Sequence, residues 1–271
     1  MHHELLDFET RKANLRDRVR DLYEAFHAYP LGPDIEHPRM PGPPVDCRPL
    51  TATPLKQLSA AALQTCHRKA MTTWGTVDDF KHFLPRLLDI VATAAMSKAP
   101  CELDAWLVFE KLDYGHWQRW KVPERTALNA YFDALWGALL AQPVDVGAES
   151  WRTPTLGEWL KAFAYAHGDL SPFLQRWAAD ASHPTDGVMA AAHLANAALE
   201  AVERLLKKRS LNWDMYHRVA AQEAQATAWL GSDAVSELLE QAYLRWPDSP
   251  YGTLLSEGHY WLGQWRQTRH A

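Results

Sequence analysis

The sequence predicts an all-α protein, an irregular array of about ten helices that pair as antiparallel hairpins. Apolar residues recur at helical spacing through most of the 271 residues, and no segment shows the alternation of a strand. Capping residues, prolines and glycines mark the helix ends. Several joints are so short that consecutive helices must run antiparallel. A solenoid-like stack is the alternative, although no fixed repeat period is found.

The N-terminal region, residues 1–52, is predicted as one helix followed by a proline-rich arm. Residues 9–29 carry Leu15, Val19 and Leu22 on one apolar stripe, which Pro30 ends. The segment from there to residue 53 is rich in proline and has no periodicity, which is typical of an extended arm.

Residues 53–141 are predicted to form an N-terminal helical half. Its first helix is expected to begin at Thr53-Pro54 and to end at Trp74-Gly75. Thr76 and Asp79 have the spacing of a capping box for the next helix, which Pro85 should kink or split. Helices over 102–112 and 123–140 then enclose a loop, 113–120.

The C-terminal half is predicted over residues 155–271, after a linker at 142–154, although the two halves could pack as one domain. Thr155 and Glu158 form the capping box that opens it. The helix that follows this box is expected to end at Gly168, and the next is expected to start at Ser171-Pro172. Later helices are expected at about 185–207, 212–230, 233–246 and from 250 onward.

Composition limits the class of protein. The formal net charge of −5 does not favour a nucleic-acid binder, which normally carries a basic surplus. No apolar run is long enough to span a bilayer or to form a signal-peptide core. Cys47, Cys66 and Cys101 lack the spacing of a disulfide framework or a zinc site. These observations predict a cytoplasmic protein with no membrane segment and no cofactor.

Tryptophan is unusually abundant, with 13 residues spread along the chain. Most lie on apolar helical positions, which indicates large core side chains between helices, with an aromatic-lined groove as the alternative. Four fall in predicted loops or near a helix end, and these are the tryptophans in which a binding role is sought: Trp117, Trp120, Trp151 and Trp265.

A polar and aromatic cluster in the loop 113–120 is the leading candidate binding site. Tyr114, His116 and Arg119 lie among the tryptophans of this loop, and residues 257–265 repeat the combination of Gly-His, aromatics and glutamine. Such residues suit a planar ligand or the anchoring of a protein partner. A packed corner between helices uses the same residue types.

A metal site is the alternative hypothesis for how this chain functions. Acid-x-x-His pairs place both side chains on one helical face, and they occur at Glu24/His27, Asp79/His82 and Asp214/His217, of which the last two pairs are the candidate ligands. These residues could support a metal-assisted hydrolase built from separated histidines and acids. The segment 167–170, His-Gly-Asp-Leu, resembles the catalytic loop of aminoglycoside phosphotransferases and choline kinases. Leu174, however, stands where those families have a magnesium-binding asparagine.

Residues 65–95 contain Trp-Gly, Asp-Phe and Phe-Leu-Pro-Arg in succession. This segment resembles one in an uncharacterised family of bacterial helical proteins, which implies a bacterial origin and no particular activity.

The sequence therefore favours a non-enzymatic helical protein-binding module, because no complete catalytic set is present and aromatic residues are abundant. An adaptor, or an immunity protein that neutralises a bacterial toxin, is the more specific expectation, with a basic protein as its partner. The metal-assisted hydrolase and a small-ligand receptor with an aromatic groove stay open as alternatives.

Overall fold

The computed structural model describes residues 2–31, 48–98, 102–145, 155–208, 210–213 and 218–270. Over these residues the chain forms α-helices and two short 3-10 helices, and no strand is present in them, which confirms the all-α prediction. The α-helices are α1 (His2–Ala25), α2 (Arg48–Ala52), α3 (Ala60–Lys69), α4 (Val77–Ser97), α5 (Ala105–Tyr114), α6 (Val122–Ala141), α7 (Leu156–Ala166), α8 (Ser171–Ser182), α9 (Val188–Lys208), α10 (Ala220–Leu230), α11 (Asp233–Arg245) and α12 (Gly252–His270). The 3-10 helices are Leu55–Gln57 and Trp117–Arg119.

The chain divides into two compact units. The N-terminal unit is Lys12–Leu135, and the C-terminal unit is Met1–Arg11 together with Trp136–Ala271. The predicted linker at 142–154 lies largely outside the described residues. No helix within the described ranges is both long enough and apolar enough to cross a membrane.

Local sequence signals explain the starts of α3, α4, α7 and α11, each of which has a serine or threonine cap. The Thr76 hydroxyl accepts a hydrogen bond from the Asp79 amide, and the Asp79 carboxylate accepts one from the Thr76 amide, so the predicted capping box at α4 is confirmed. Ser232 caps α11 as expected. Thr155 accepts from the Glu158 amide, but its own hydroxyl donates to Glu200 of α9 at 2.7 Å. That contact ties the start of α7 to α9.

One helix of the predicted N-terminal half has the wrong bounds. No helix runs from 53 to 74, because α3 begins only after Ser59, whose hydroxyl accepts a hydrogen bond from the Ala62 amide, and α3 ends at Lys69. Helix α4 continues through Pro85, which is buried inside it, so proline does not split the segment.

The core of the C-terminal unit is organised around the alanine-rich helix α9, against which α7, α8, α11 and α12 pack. Buried tryptophans hold the surrounding helices. The Trp136 indole donates to the carbonyl of Phe173 and the Trp177 indole to that of Ala190, both at 2.9 Å, and the two rings meet edge to face. Each ring thus buries a large apolar area while its N–H is satisfied.

Helices α9 and α12 approach so closely that only glycine fits at one position. A Cβ built on Gly258 would lie 2.6 Å from the Cβ of Ala195 and 2.7 Å from its Cα. By contrast, a Cβ on Gly263 of the same helix would meet nothing within 4 Å.

This contrast gives a matched pair of variants. We expect Gly258→Ala to lower the free energy of unfolding by about 1–3 kcal/mol, because the two helices must separate. Gly263→Ala should raise it by up to about 1 kcal/mol through helix propensity alone. Urea denaturation of both variants measures the difference, and equal responses would contradict the close approach of α9 and α12.

Candidate binding surface at the end of helix α5

The predicted loop 113–120 is an ordered turn between α5 and α6, and residues 111–120 are called the α5 corner below. The Gly115 amide donates to the Lys111 carbonyl at 3.0 Å, and the His116 amide donates to that of Asp113 at 2.8 Å. His116 has a left-handed backbone, with φ of 54°. A 3-10 turn follows and leads into α6. Backbone hydrogen bonds from the amides of Gly115, His116, Arg119 and Trp120 therefore hold the turn.

Two tryptophans anchor the α5 corner in the core of the N-terminal unit. Trp117 and Trp120 are only 4% and 9% exposed. The Trp120 indole donates to the Gly115 carbonyl at 2.8 Å, and its ring meets Phe26 edge to face. Trp117 packs against Phe132, with ring centroids 5.9 Å apart. These tryptophans hold the backbone of the corner and are not part of its surface.

A buried polar network that the sequence does not reveal lies beneath Trp120. Lys81 of α4 donates to Glu124 of α6 at 2.9 Å and to the Tyr29 hydroxyl at 3.1 Å. The Tyr29 hydroxyl donates to the other oxygen of Glu124. The Lys81 ammonium also lies 4.5 Å from the centre of the Trp120 ring, within the range of a cation–π interaction.

The charged pair in this network is mutually stabilised. Burial alone would raise the pKa of Glu124, but hydrogen bonds from Tyr29 and Lys81 outweigh it and hold that pKa below its usual range. Burial would likewise lower the pKa of Lys81, yet its bonds to Glu124 and Tyr29 raise it. Both groups are therefore charged at neutral pH. Because all three side chains are engaged with one another, the network fits a structural role.

The other residues of the α5 corner present an aromatic and polar surface. Tyr114 is 54% exposed, and His116, Gln118 and Arg119 are also exposed. Their chemistry combines a large amphipathic ring with several hydrogen-bond donors on a fixed backbone. Such a surface can contact another molecule with little loss of backbone freedom.

The structure does not gather all of the predicted binding residues. Trp151 lies outside the described residues. Trp265 belongs to the C-terminal unit and is 5% exposed, so it contributes to the core of that unit. In the segment that contains it, Tyr260 and Trp261 are the exposed aromatics, and their rings meet edge to face at 5.2 Å.

Two of the four residues of the predicted metal site lie in the described part of the chain, and both make hydrogen bonds within the protein. The Asp79 carboxylate accepts hydrogen bonds from both the amide and the hydroxyl of Thr76. His82 Nδ1 lies 2.7 Å from the Tyr29 carbonyl oxygen. Asp214 and His217 fall outside the described residues. Elsewhere in the described ranges, no three His, Cys, Asp or Glu side chains are grouped so that they could hold a metal ion.

The segment 167–170 is a helix junction. Gln225 of α10 donates to the Asp169 carboxylate at 2.6 Å and accepts from the Leu170 amide at 2.8 Å. His167 is packed between Phe163 and Phe173, and burial lowers its pKa to about 4.

Three cavities bear on the small-ligand alternative. One, lined in part by Trp177, Trp213 and Trp229, has a volume of only about 30 Å³, enough for about one water molecule. A second, of about 320 Å³, lies between α1 and α4, and aliphatic and polar side chains line it. A third, of about 450 Å³, lies between α8 and α11, with Trp229 as the one aromatic residue in its lining. The second and third cavities have the volume of a small-molecule site, but neither is lined mainly by aromatic residues.

Comparison of the chain with protein-family models, with curated proteins and with solved structures gives no match.

Proposed function

We propose that the chain is a non-enzymatic helical protein-binding module, and that the α5 corner is its contact surface. The observation that carries this proposal is the exposure of Tyr114, His116 and Arg119 on a backbone that two buried tryptophans lock in place. Tyrosine and arginine are enriched among the residues that dominate binding energy at interfaces. A surface that is rigid before binding avoids part of the entropic cost of association.

The finer assignment is an adaptor or a bacterial immunity protein. Its support is the acidic balance of the chain, 33 acidic against 28 basic residues, which suits a partner that is basic overall. An immunity protein needs a preorganised surface and no catalytic group, and the α5 corner meets the first requirement.

Affinity capture tests the proposed function. The tagged chain is incubated with a lysate of the cells that produce it, and retained proteins are identified by mass spectrometry. We expect one stoichiometric partner, whose retention falls at least tenfold in the Tyr114→Ala/Arg119→Ala variant. Both side chains are exposed, so their truncation should leave the fold intact.

The Tyr260→Ala/Trp261→Ala variant is the matched control, because it removes two exposed aromatics from the C-terminal unit. Its retention of the partner should equal that of the wild type. Loss of the partner in this control alone would move the contact surface to α12, and capture of no partner by the wild type would overturn the proposed function.

A further inference from the structure

The cavity of about 320 Å³ between α1 and α4, called the α1–α4 cavity below, has an apolar wall. Leu15 and Val19 of α1 and Ala92 of α4 line it, and each of them is buried. Met96 lies one turn beyond Ala92 on the same face of α4, is half-buried and completes the wall. An aliphatic ligand that enters the cavity displaces water from this wall, which favours its binding.

Helices α1 and α4 run antiparallel along the cavity. The Tyr23 hydroxyl donates to the Asp89 carboxylate at 3.1 Å, and farther along the chain the carbonyl oxygen of Tyr29 lies 2.7 Å from Nδ1 of His82, which is earlier in α4. The first part of α1 therefore lies opposite the last turns of α4. The lining of the cavity extends along α4 from Asp89 to Ser97, which is roughly 12 Å at the rise of an α-helix.

The end of the cavity at the last turns of α4 is positively charged. Lys12 and Arg16, one turn apart on α1, line it there. Arg16 is exposed, and in the described part of the chain no carboxylate lies within ion-pair distance of its guanidinium. Thr93 of α4 adds an exposed hydroxyl to the lining. A negatively charged group can therefore reach this end from solvent and find hydrogen-bond donors.

Asp89, the acidic residue of the described lining, lies toward the other end of the cavity and is already paired. Its carboxylate accepts a hydrogen bond from Arg86 at 2.7 Å as well as the one from Tyr23. The charge that the cavity offers to a ligand is therefore positive, although the chain as a whole is acidic.

We propose that the α1–α4 cavity binds a dissolved amphipathic carboxylate, an aliphatic chain that ends in a carboxyl group. The aliphatic chain covers Leu15, Val19 and Met96, and the carboxylate accepts hydrogen bonds from Arg16 at the positive end. A guanidinium can donate two parallel hydrogen bonds to a carboxylate, and such charge-assisted bonds are about twice as strong as neutral ones. The cavity is separate from the α5 corner, so this site adds ligand binding to the proposed protein-binding function.

Two other ligand classes fit the lining less well. A planar aromatic ligand would lack a stacking partner, since the described residues that line the cavity include no aromatic side chain. An alkylammonium would place its positive charge beside Lys12 and Arg16, which repel it.

Octanoate is the probe for this site. Backbone amide NMR shifts of the labelled chain are followed as sodium octanoate, below its micellar concentration, replaces sodium chloride at constant ionic strength. We expect saturable shifts at Leu15, Arg16, Ala92 and Thr93. Butanoate should bind at least tenfold more weakly, because each methylene removed from an apolar site lowers the affinity about fourfold. Octylammonium should give no saturable shifts at these residues.

Arg16→Gln is expected to weaken octanoate binding at least tenfold, because the carboxylate loses its charge-assisted hydrogen bonds. The side chain is exposed, so its replacement should leave the fold intact. Arg20→Gln is the matched control, since it removes an exposed arginine one turn farther along α1 that does not line the cavity. It should bind octanoate like the wild type.

Several results would overturn the proposal. They are equal octanoate affinity in the wild type and Arg16→Gln, an equal loss in Arg16→Gln and Arg20→Gln, equal binding of octylammonium, and saturable shifts confined to other apolar surfaces such as Tyr260 and Trp261. The titration uses the chain without a partner protein, so its failure leaves the proposed protein-binding function untouched. Failure of affinity capture, in turn, does not change the octanoate result.

Discussion

Lys81→Met is expected to lower the free energy of unfolding by about 3–5 kcal/mol, because it leaves Glu124 charged and buried without its partner. The Glu124 side chain is only 3% exposed and would keep a single strong donor, the hydroxyl of Tyr29, besides the Lys121 amide at 3.3 Å. A loss of that size is a large fraction of the stability of a typical domain.

An exposed pair of the same chemistry provides the control. Lys207 donates to Glu203 at 2.6 Å, but both side chains are about two-thirds exposed or more. Lys207→Met should therefore cost less than about 1 kcal/mol. Urea denaturation at pH 7 measures both variants. If Lys81→Met costs no more than Lys207→Met, the buried network does not hold the N-terminal unit together.

The buried pair also has a defined pH range. The pKa of Glu124 is lower in the folded state, so its contribution is present above the unfolded value and is lost as pH falls through the folded one. The pKa of Lys81 is higher in the folded state, so its contribution is present below the unfolded value and is lost as pH rises through the folded one. Together the shifts predict full stabilisation across neutral pH.

Features formed by residues that are close together in the sequence could be predicted from it. The capping box of Thr76 and Asp79 needs residues three apart, and it was confirmed because a side chain and an amide one turn away meet without help from the rest of the chain. The predicted start of α3 was wrong because two capping signals follow each other closely. Thr53-Pro54 leads only into the 3-10 turn Leu55–Gln57, and Ser59 caps α3 itself.

The buried network could not be predicted because its members are far apart in the sequence. Lys81 and Glu124 are 43 residues apart, and Tyr29 is 52 residues from Lys81. Only a weak signal marks them individually, since a lysine such as Lys81 or Lys111 stands among the core positions of an amphipathic helix. A charged residue on an apolar stripe indicates either a buried ion pair or a buried charge without a partner. The sequence does not distinguish the two, because the partner can come from any other helix.

For the candidate site, the sequence indicated the segment but not the role of each residue. The predicted set mixed Trp117 and Trp120, which face the core, with Tyr114, His116 and Arg119, which face solvent. Periodicity could not separate them because the turn contains a left-handed residue and a 3-10 helix, each of which breaks the helical repeat. The structure shows that burial of the tryptophans is what holds the exposed residues in place.

His167 should make the stability of the C-terminal unit depend on pH between about 6.5 and 4. Burial lowers its pKa to about 4 in the folded state, whereas an unfolded chain protonates histidine near 6.5. In this interval the unfolded state binds more protons, so stability falls as pH falls. The difference between the two pKa values lowers the free energy of unfolding by about 3 kcal/mol by pH 4.

The test compares the free energy of unfolding at pH 7 and pH 4.5 in wild type and His167→Phe. The variant keeps an aromatic ring between Phe163 and Phe173 but has no proton to gain, so its loss on acidification should be smaller by most of that amount. His27→Gln removes an exposed histidine and serves as the control. The wild type and both variants could instead lose the same free energy of unfolding between the two pH values. In that case His167 accepts a proton in the folded chain, and its burial among these rings does not make the stability depend on pH.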